Sequence, residues 1–189
     1  MERHQTVRAL LRNLDRHSPG ELAHAERVSV FAVAMAERLG WDDEQLVQMR
    51  DAAMLHDVGK VRLDPDLVEQ LGHVEETEMD SLHLHAVLCE ELLSGFDFLV
   101  PCIPWIRHHH EWWDGTGFPD NLIGLEIPLG ARILGVAEAF DVLAYRRTAR
   151  EARDEQQALR ELRDLAGQRF DPALVELLAE VQPLIQPLV

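Results

Sequence analysis

Lysine is almost missing from this chain: of its 18 basic residues, all but Lys60 are arginine. A solitary lysine in such a background marks either a position that wants a compact ammonium rather than a planar fork, or a survivor of biased codon usage. Positive charge of any kind is outnumbered. The 34 acidic side chains leave a formal net charge of −16, and no basic stripe is available to follow a phosphate backbone. That argues against a nucleic-acid polymer as partner, while a small anion stays compatible if cations are gathered locally. Cysteine is scarce: Cys89 and Cys102 have no second thiol at ligand spacing, which argues against a disulfide framework or a cysteine zinc site. No apolar run approaches the roughly 20 residues that cross a bilayer. The opening MERHQTVRALLRNLDRH lacks the continuous apolar centre of a secretory signal. A soluble, cytoplasmic protein with no membrane partner is expected.

Strand-type alternation is nearly absent as well, and helical period takes its place. At 189 residues and 47% hydrophobic, the chain can bury one substantial core. HAERVSVFAVAMAERLG (24–40) repeats Val28, Phe31, Ala32, Met35 and Leu39 at helical spacing and stops at Gly40. Asp42 or Asp43 can cap a second helix through LVQMRDAAMLHD, and TEMDSLHLHAVLCEELLSG (77–95) makes a third, closed by glycine. PLGARILGVAEAFDVLAYRR (128–147) starts with proline, is apolar on nearly every side and should be central. Shorter amphipathic helices are expected around 153–167 and 171–181. The pattern predicts an all-α, single-domain bundle of six or seven helices, with residues 1–20 a leading helix ahead of the domain at 21–189.

RHHHEWWDGTGFP (107–119) places three histidines beside Glu111 and two tryptophans. Trp112 and Trp113 suit packing or stacking on a nucleobase. Asp114, Gly115 and Gly117 suit a turn, the glycines supplying unusual dihedrals. His24, His56, Asp57, His85, His109, His110 and Glu138 fall on several predicted helices or their ends. Singly, each has an ordinary reading as a surface group, a hydrogen-bonded core residue or a cap; His108 reads as a neighbouring surface residue. Together they are the imidazole and carboxylate donors that suit zinc, manganese or iron, drawn from several helices of one bundle. Adjacent His-Asp and His-His pairs can serve two metals at once, the arrangement used for phosphate-ester hydrolysis.

LHDVGK (55–60) resembles the HD-x-G-K element of HD-superfamily metal-dependent phosphohydrolases, and HHEWWDGTGFP is similar to the HHE-xx-DG-x-GYP signature of the HD-GYP subfamily. GLEIPLGARILGVAEAFDVL (124–143) and GQRFDPALVELL (167–178) extend the likeness to roughly residues 10–180. The resemblance implies a helical domain that hydrolyses cyclic di-GMP to the linear dinucleotide or GMP, with a hydroxide between two metals attacking phosphorus. It implies two divalent ions, iron or manganese first, with zinc, nickel, cobalt or magnesium also suiting such donors. By motif position the ligands are His24, His56, Asp57, His85, His109 and His110, with Asp57 bridging. Lys60 meets the substrate phosphate or a metal-bound oxygen, and Arg147 and Arg150 hold the ligand's phosphates, unless they are solvated surface. GGDEF-domain or other signalling proteins are the partners implied; the surface helices could mediate a homodimer, though no sequence feature fixes the oligomer.

Three departures from the family pattern stand out. Glu138 occupies the place of an aspartate ligand in VAEAFDVL, one methylene longer where about 0.5 Å matters. Asp141, one turn on, reads as a ligand or an internal hydrogen-bonder. Phe118 replaces the signature tyrosine, keeping a ring that can pack or meet a guanine but losing a hydroxyl, a cost of about 0.5–1.5 kcal/mol if that hydroxyl is used. Gly20 stands where members with a third metal carry glutamate, and Glu21 is one place off, so two metals are expected. Glu138 and Phe118 also keep open a domain that binds cyclic di-GMP or proteins with little turnover. An HD hydrolase of another nucleotide is the further alternative.

Overall fold

Helix starts are set by carboxylates that find exposed backbone amides. Asp42 accepts from the Gln45 N–H at 2.9 Å, and the Gln45 side chain accepts from the Asp42 N–H at 3.1 Å, a reciprocal cap that opens one helix. The preceding helix begins three residues before the predicted start near His24, because Asp15 reaches across a turn to accept from the Gly20 and Leu22 amides, both at 3.1 Å. Gly20 itself sits at φ +99°, in the left-handed region, and lets the chain turn between the two helices.

The computed structural model of the chain describes residues 2–64, 76–145 and 155–185, with side chains in the second stretch described from 84. Its α-helices are α1 Glu2–His17, α2 Glu21–Arg38, α3 Asp43–Leu55, α4 Glu76–Leu93, α5 Ile103–Arg107, α6 Leu129–Tyr145, α7 Glu155–Asp164 and α8 Pro172–Val181. All but the short α5 have ten or more residues, in line with the predicted bundle. Among the described residues there is no strand, only an isolated bridge between Ala166 and Phe170. No described helix is long and apolar enough to cross a membrane.

Two apolar clusters hold the bundle together. One joins α2, α6, α7 and α8 through Phe31, Met35, Leu134, Phe140, Leu162 and Leu178. The other joins α1, α3, α4 and α5 through Leu11, Leu55, Leu93 and Ile106, so the leading helix shares a core with the rest. Each large side chain fully buried here contributes about 1.5–3 kcal/mol. Helix α6 is central, as its all-round apolar character predicts, with the Phe140 ring edge-on to Phe31 at 4.9 Å.

Two glycines let backbones approach where the polar residues lie. A Cβ on Gly135 of α6 would stand 2.6 Å from the His109 carbonyl oxygen, and one on Gly59 would stand 2.1 Å from that of His85. The turn at Gly59 is pinned from behind by Cys89 of α4. The Gly59 N–H donates to Cys89 Sγ at 3.0 Å, and the thiol donates to the His56 carbonyl at 3.0 Å. Burial pushes the thiol's pKa up, so it stays a donor. Gly135→Ala should therefore cost about 1–3 kcal/mol in denaturant unfolding, as overpacking does. Gly95→Ala, open on all sides within 4 Å, should be neutral or mildly stabilising. Equal effects at both positions would show that the close approach of α6 to His109 is not tight.

Candidate metal centre

Helix ends turn two of the histidines inward. The last carbonyls of an α-helix have no partner within it. His56, just past α3, folds back so that Nδ1 donates to the Ala53 carbonyl at 2.7 Å. His109, past α5, does the same with the Ile106 carbonyl at 2.5 Å. A carbonyl can only accept, so Nδ1 carries the hydrogen in both rings and Nε2 is presented to the interior. His24 reaches the same interior from the opening turn of α2, His85 from α4 and Glu138 from α6.

The donor atoms fall into two groups, each with all members within 4.8 Å of one another: His24, His56, Asp57 and Glu138, and His85, His109 and His110. Asp57 joins them. Its Oδ2 lies 3.3 Å from His56 Nε2 and 3.8 Å from His24 Nε2, while Oδ1 lies 3.4 Å from His85 Nε2. Glu138 Oε2 is 3.6 Å from His109 Nε2, on the seam between the groups. The rings of His109 and His110 stand 3.9 Å apart, and His110 and His85 meet edge-on at 5.0 Å.

Buried polar atoms are nearly always hydrogen-bonded. Here Nε2 of His24, His56 and His109, together with Asp57 Oδ1, are fully buried and make no well-directed hydrogen bond. Imidazole lone pairs and carboxylate oxygens converging in this way fit divalent cations. The charge states differ among the rings. Burial, then the neighbouring His110, lowers His109 to about 3, and burial lowers His110 to about 4, so both are neutral donors at pH 7. Burial also acts to lower His56, but the adjacent Asp57 carboxylate outweighs it and raises this imidazole to about 9. Burial opposes the charge on Asp57, and the Lys60 ammonium and the His56 and His85 rings hold it well below the usual carboxylate range. Burial likewise opposes ionising Glu138, and the facing His110, His109 and His56 rings keep its carboxyl low.

Lys60 lies at the centre. Its ammonium sits 2.5 Å from Asp57 Oδ2 and 3.5 Å from Glu21 Oε1, with its residue only 5% exposed. The longer Glu138 reaches the first group from α6. Asp141 belongs to neither group and accepts from His24 Nδ1 at 2.6 Å and from Arg27. The Phe118 ring packs on His110 at 4.9 Å between centroids. His108 is held outside, bonded to the Pro104 carbonyl and to Asp120. Trp112 lies beneath the Arg169 guanidinium at 4.1 Å, and the Trp113 amide donates to the Arg169 carbonyl, so both tryptophans pack against the turn before α8. Gly115 takes φ +83° as expected for a turn. Gly117 instead serves a close approach, because a Cβ there would stand 2.1 Å from the Trp112 nitrogen. Arg147 and Arg150 lie outside the described residues.

Sequence reasoning missed the supports that Glu111 and Cys89 provide. Glu111 is buried, and its carboxylate accepts from the Asp120 amide at 2.6 Å and the Leu122 amide at 3.0 Å. It thereby ties down the loop that carries Phe118 against His110. A carboxylate inside a turn-rich, aromatic stretch was the available signal. Cys89, behind the Gly59 turn, had none.

The family model of the HD domain matches residues 8–174. Among curated relatives, the cyclic di-GMP phosphodiesterase response regulator RpfG of Xanthomonas campestris pv. campestris is 37% identical, over 92% of this chain and 47% of its own length. The 3'3'-cGAMP-specific phosphodiesterase 2 of Vibrio cholerae is 32% identical, over 84% of this chain and 31% of its own. The chain thus spans half or less of these relatives. Among solved structures, a cyclic GMP-AMP specific phosphodiesterase of V. cholerae (V-cGAP3) superimposes with a TM-score of 0.70 at 21% identity, over 94% of this chain and 48% of that one, a likeness of fold. A family match across most of the chain, with a relative 37% identical over nearly all of it, means that the chain belongs to the HD domain family.

Proposed function

We propose that this chain is a metal-dependent phosphodiesterase that hydrolyses cyclic di-GMP to the linear dinucleotide, GMP or both. The observation that carries the proposal is the sharing of one buried carboxylate, Asp57, between two groups of inward-facing histidines. In this reading His24, His56, Asp57 and Glu138 hold one divalent cation, and Asp57, His85, His109 and His110 hold a second. The family resemblance points to iron or manganese, while the donors themselves accept several ions. When bound, paired cations supply the Lewis acidity that activates water and steadies the leaving oxygen of a phosphate ester.

The chain's own residues do the rest. Lys60 donates to Asp57 Oδ2 and so sets the plane of the shared carboxylate; its ammonium is also proposed to meet a substrate phosphate. Phe118 holds the plane of His110 with its ring, a task that needs no hydroxyl. Arg147 and Arg150, shortly after α6, are proposed to neutralise the ligand's phosphates. Burial of Asp57 and Lys60 strengthens the electrostatic contact between them.

A second reading is favoured by the relative named for 3'3'-cGAMP. Both dinucleotides present the same kind of ribose–phosphate ring, so base contacts alone separate them. Protein loaded anaerobically with Fe²⁺ or Mn²⁺ should convert cyclic di-GMP to linear products that carry the extra charge of a terminal phosphate and separate from it on anion-exchange chromatography, with 3'3'-cGAMP run in parallel. Asp57→Asn should lower turnover at least about a hundredfold, the upper end of what losing a merely supporting partner costs. No turnover of either compound with iron, manganese or nickel sinks the proposal, and tight binding without turnover selects a binding module.

Cation uptake should also release protons. His56, raised to about 9, is protonated at pH 7 and must give up that proton to ligate, whereas His109 and His110, at about 3 and about 4, are already neutral. About one proton should therefore leave at pH 7. Affinity should weaken as pH falls, by roughly tenfold per unit below 9. Calorimetry in buffers of different ionisation enthalpy measures the count; uptake with no proton release would remove His56 from the ligand set.

A further inference from the structure

His24 is oriented in a different way from His56 and His109. Those two follow helix ends, where a spare carbonyl is at hand. His24 stands in the opening turn of α2, where the carbonyls are taken up by the helix, and its own amide donates to the Gly20 carbonyl at 3.1 Å. Its Nδ1–H needs a side chain, and meets Asp141 Oδ2 on α6 at 2.6 Å. Asp141 is fully buried. Arg27, nearly one turn beyond His24, closes on the same carboxylate: Nε donates to Oδ1 at 2.5 Å and Nη2 to Oδ2 at 3.0 Å. The guanidinium lies over the Tyr145 ring at 5.2 Å, at the far end of α6.

We propose that Arg27 is a positioning residue for the metal centre: by gripping both oxygens of Asp141 it fixes that carboxylate's plane, and through it the tautomer and direction of His24. The inference rests on the two-cation reading above. A carboxylate with a single donor can turn about its Cβ–Cγ bond, whereas a planar fork on both oxygens stops the rotation. With Asp141 held, hydrogen stays on His24 Nδ1 and the Nε2 lone pair faces Asp57 Oδ2, 3.8 Å away. A lysine in place of Arg27 keeps the charge but not the plane. The metal-ligating histidine, its carboxylate and the arginine form a chain in which the outermost member never touches the cation.

Titration of the full chain with Co²⁺, followed by visible absorption, tests this without reference to turnover. The wild type should take up two equivalents. Arg27→Ala and Asp141→Asn should each weaken one equivalent about 10- to 100-fold and alter its absorption band, leaving the other unchanged. Arg27→Lys should fall between. Tyr145→Phe keeps the ring under the guanidinium and loses only its hydroxyl's bond to Glu155, so it should bind as the wild type does. Thermal unfolding of each chelator-treated variant reports its fold; should Arg27→Ala not fold, Arg27→Lys against wild type decides. Wild-type binding by the Arg27 variants overturns the proposal, as does equal weakening of both equivalents or a loss on Tyr145→Phe, either of which means a loosened bundle. A wild type that takes up no Co²⁺ defeats the two-cation reading itself, a result separate from an indifferent Arg27.

Discussion

A carboxylate placed in a protein interior without compensation is among the costliest things a fold can do. This chain places Asp57 there, and the architecture answers it from several directions. A lysine and an imidazolium supply charge, and further imidazoles approach each oxygen. Those groups come from α2, α4, the end of α3 and the turn that follows it, so the electrostatic demand of one residue ties together helices from both apolar clusters. The surrounding packing can be read as what lets those approaches happen. Gly135 brings α6 onto the His109 carbonyl, and Gly59 brings the Asp57 turn onto α4.

Much of this was legible in the residues. The helices announced themselves by spacing and by caps such as Asp42 and Gly40, because amphipathic period and end signals are local properties of a chain. The beginning of α2 was misjudged by three residues, since its cap comes from Asp15 in another helix, and no local pattern records a cap delivered from a distance. The histidines and Asp57 could be named as a set because their chemistry is distinctive, and the fold does bring them together. Their supports could not. Glu111, Cys89 and Arg27 are ordinary residue types whose work depends on which amide, carbonyl or carboxylate the fold sets in front of them.

Orientation of the rings follows a simple economy. Where a histidine follows a helix end, the backbone already offers an acceptor, and His56 and His109 take it. Where a histidine opens a helix, an acceptor must be imported, and Asp141 arrives from α6. Loops obey the same logic: Glu111 replaces a missing strand partner for two loop amides and so keeps Phe118 beside His110. None of these supports needs to touch a substrate to matter.

The near absence of lysine acquires a meaning once Lys60 is seen at the centre. Side-chain amines are the usual handles for acylation and crosslinking, and this chain offers only one, with 5% of its surface showing. Chemical labelling of its side-chain amines is thereby a reporter of a single event, the opening of the turn that carries the shared carboxylate.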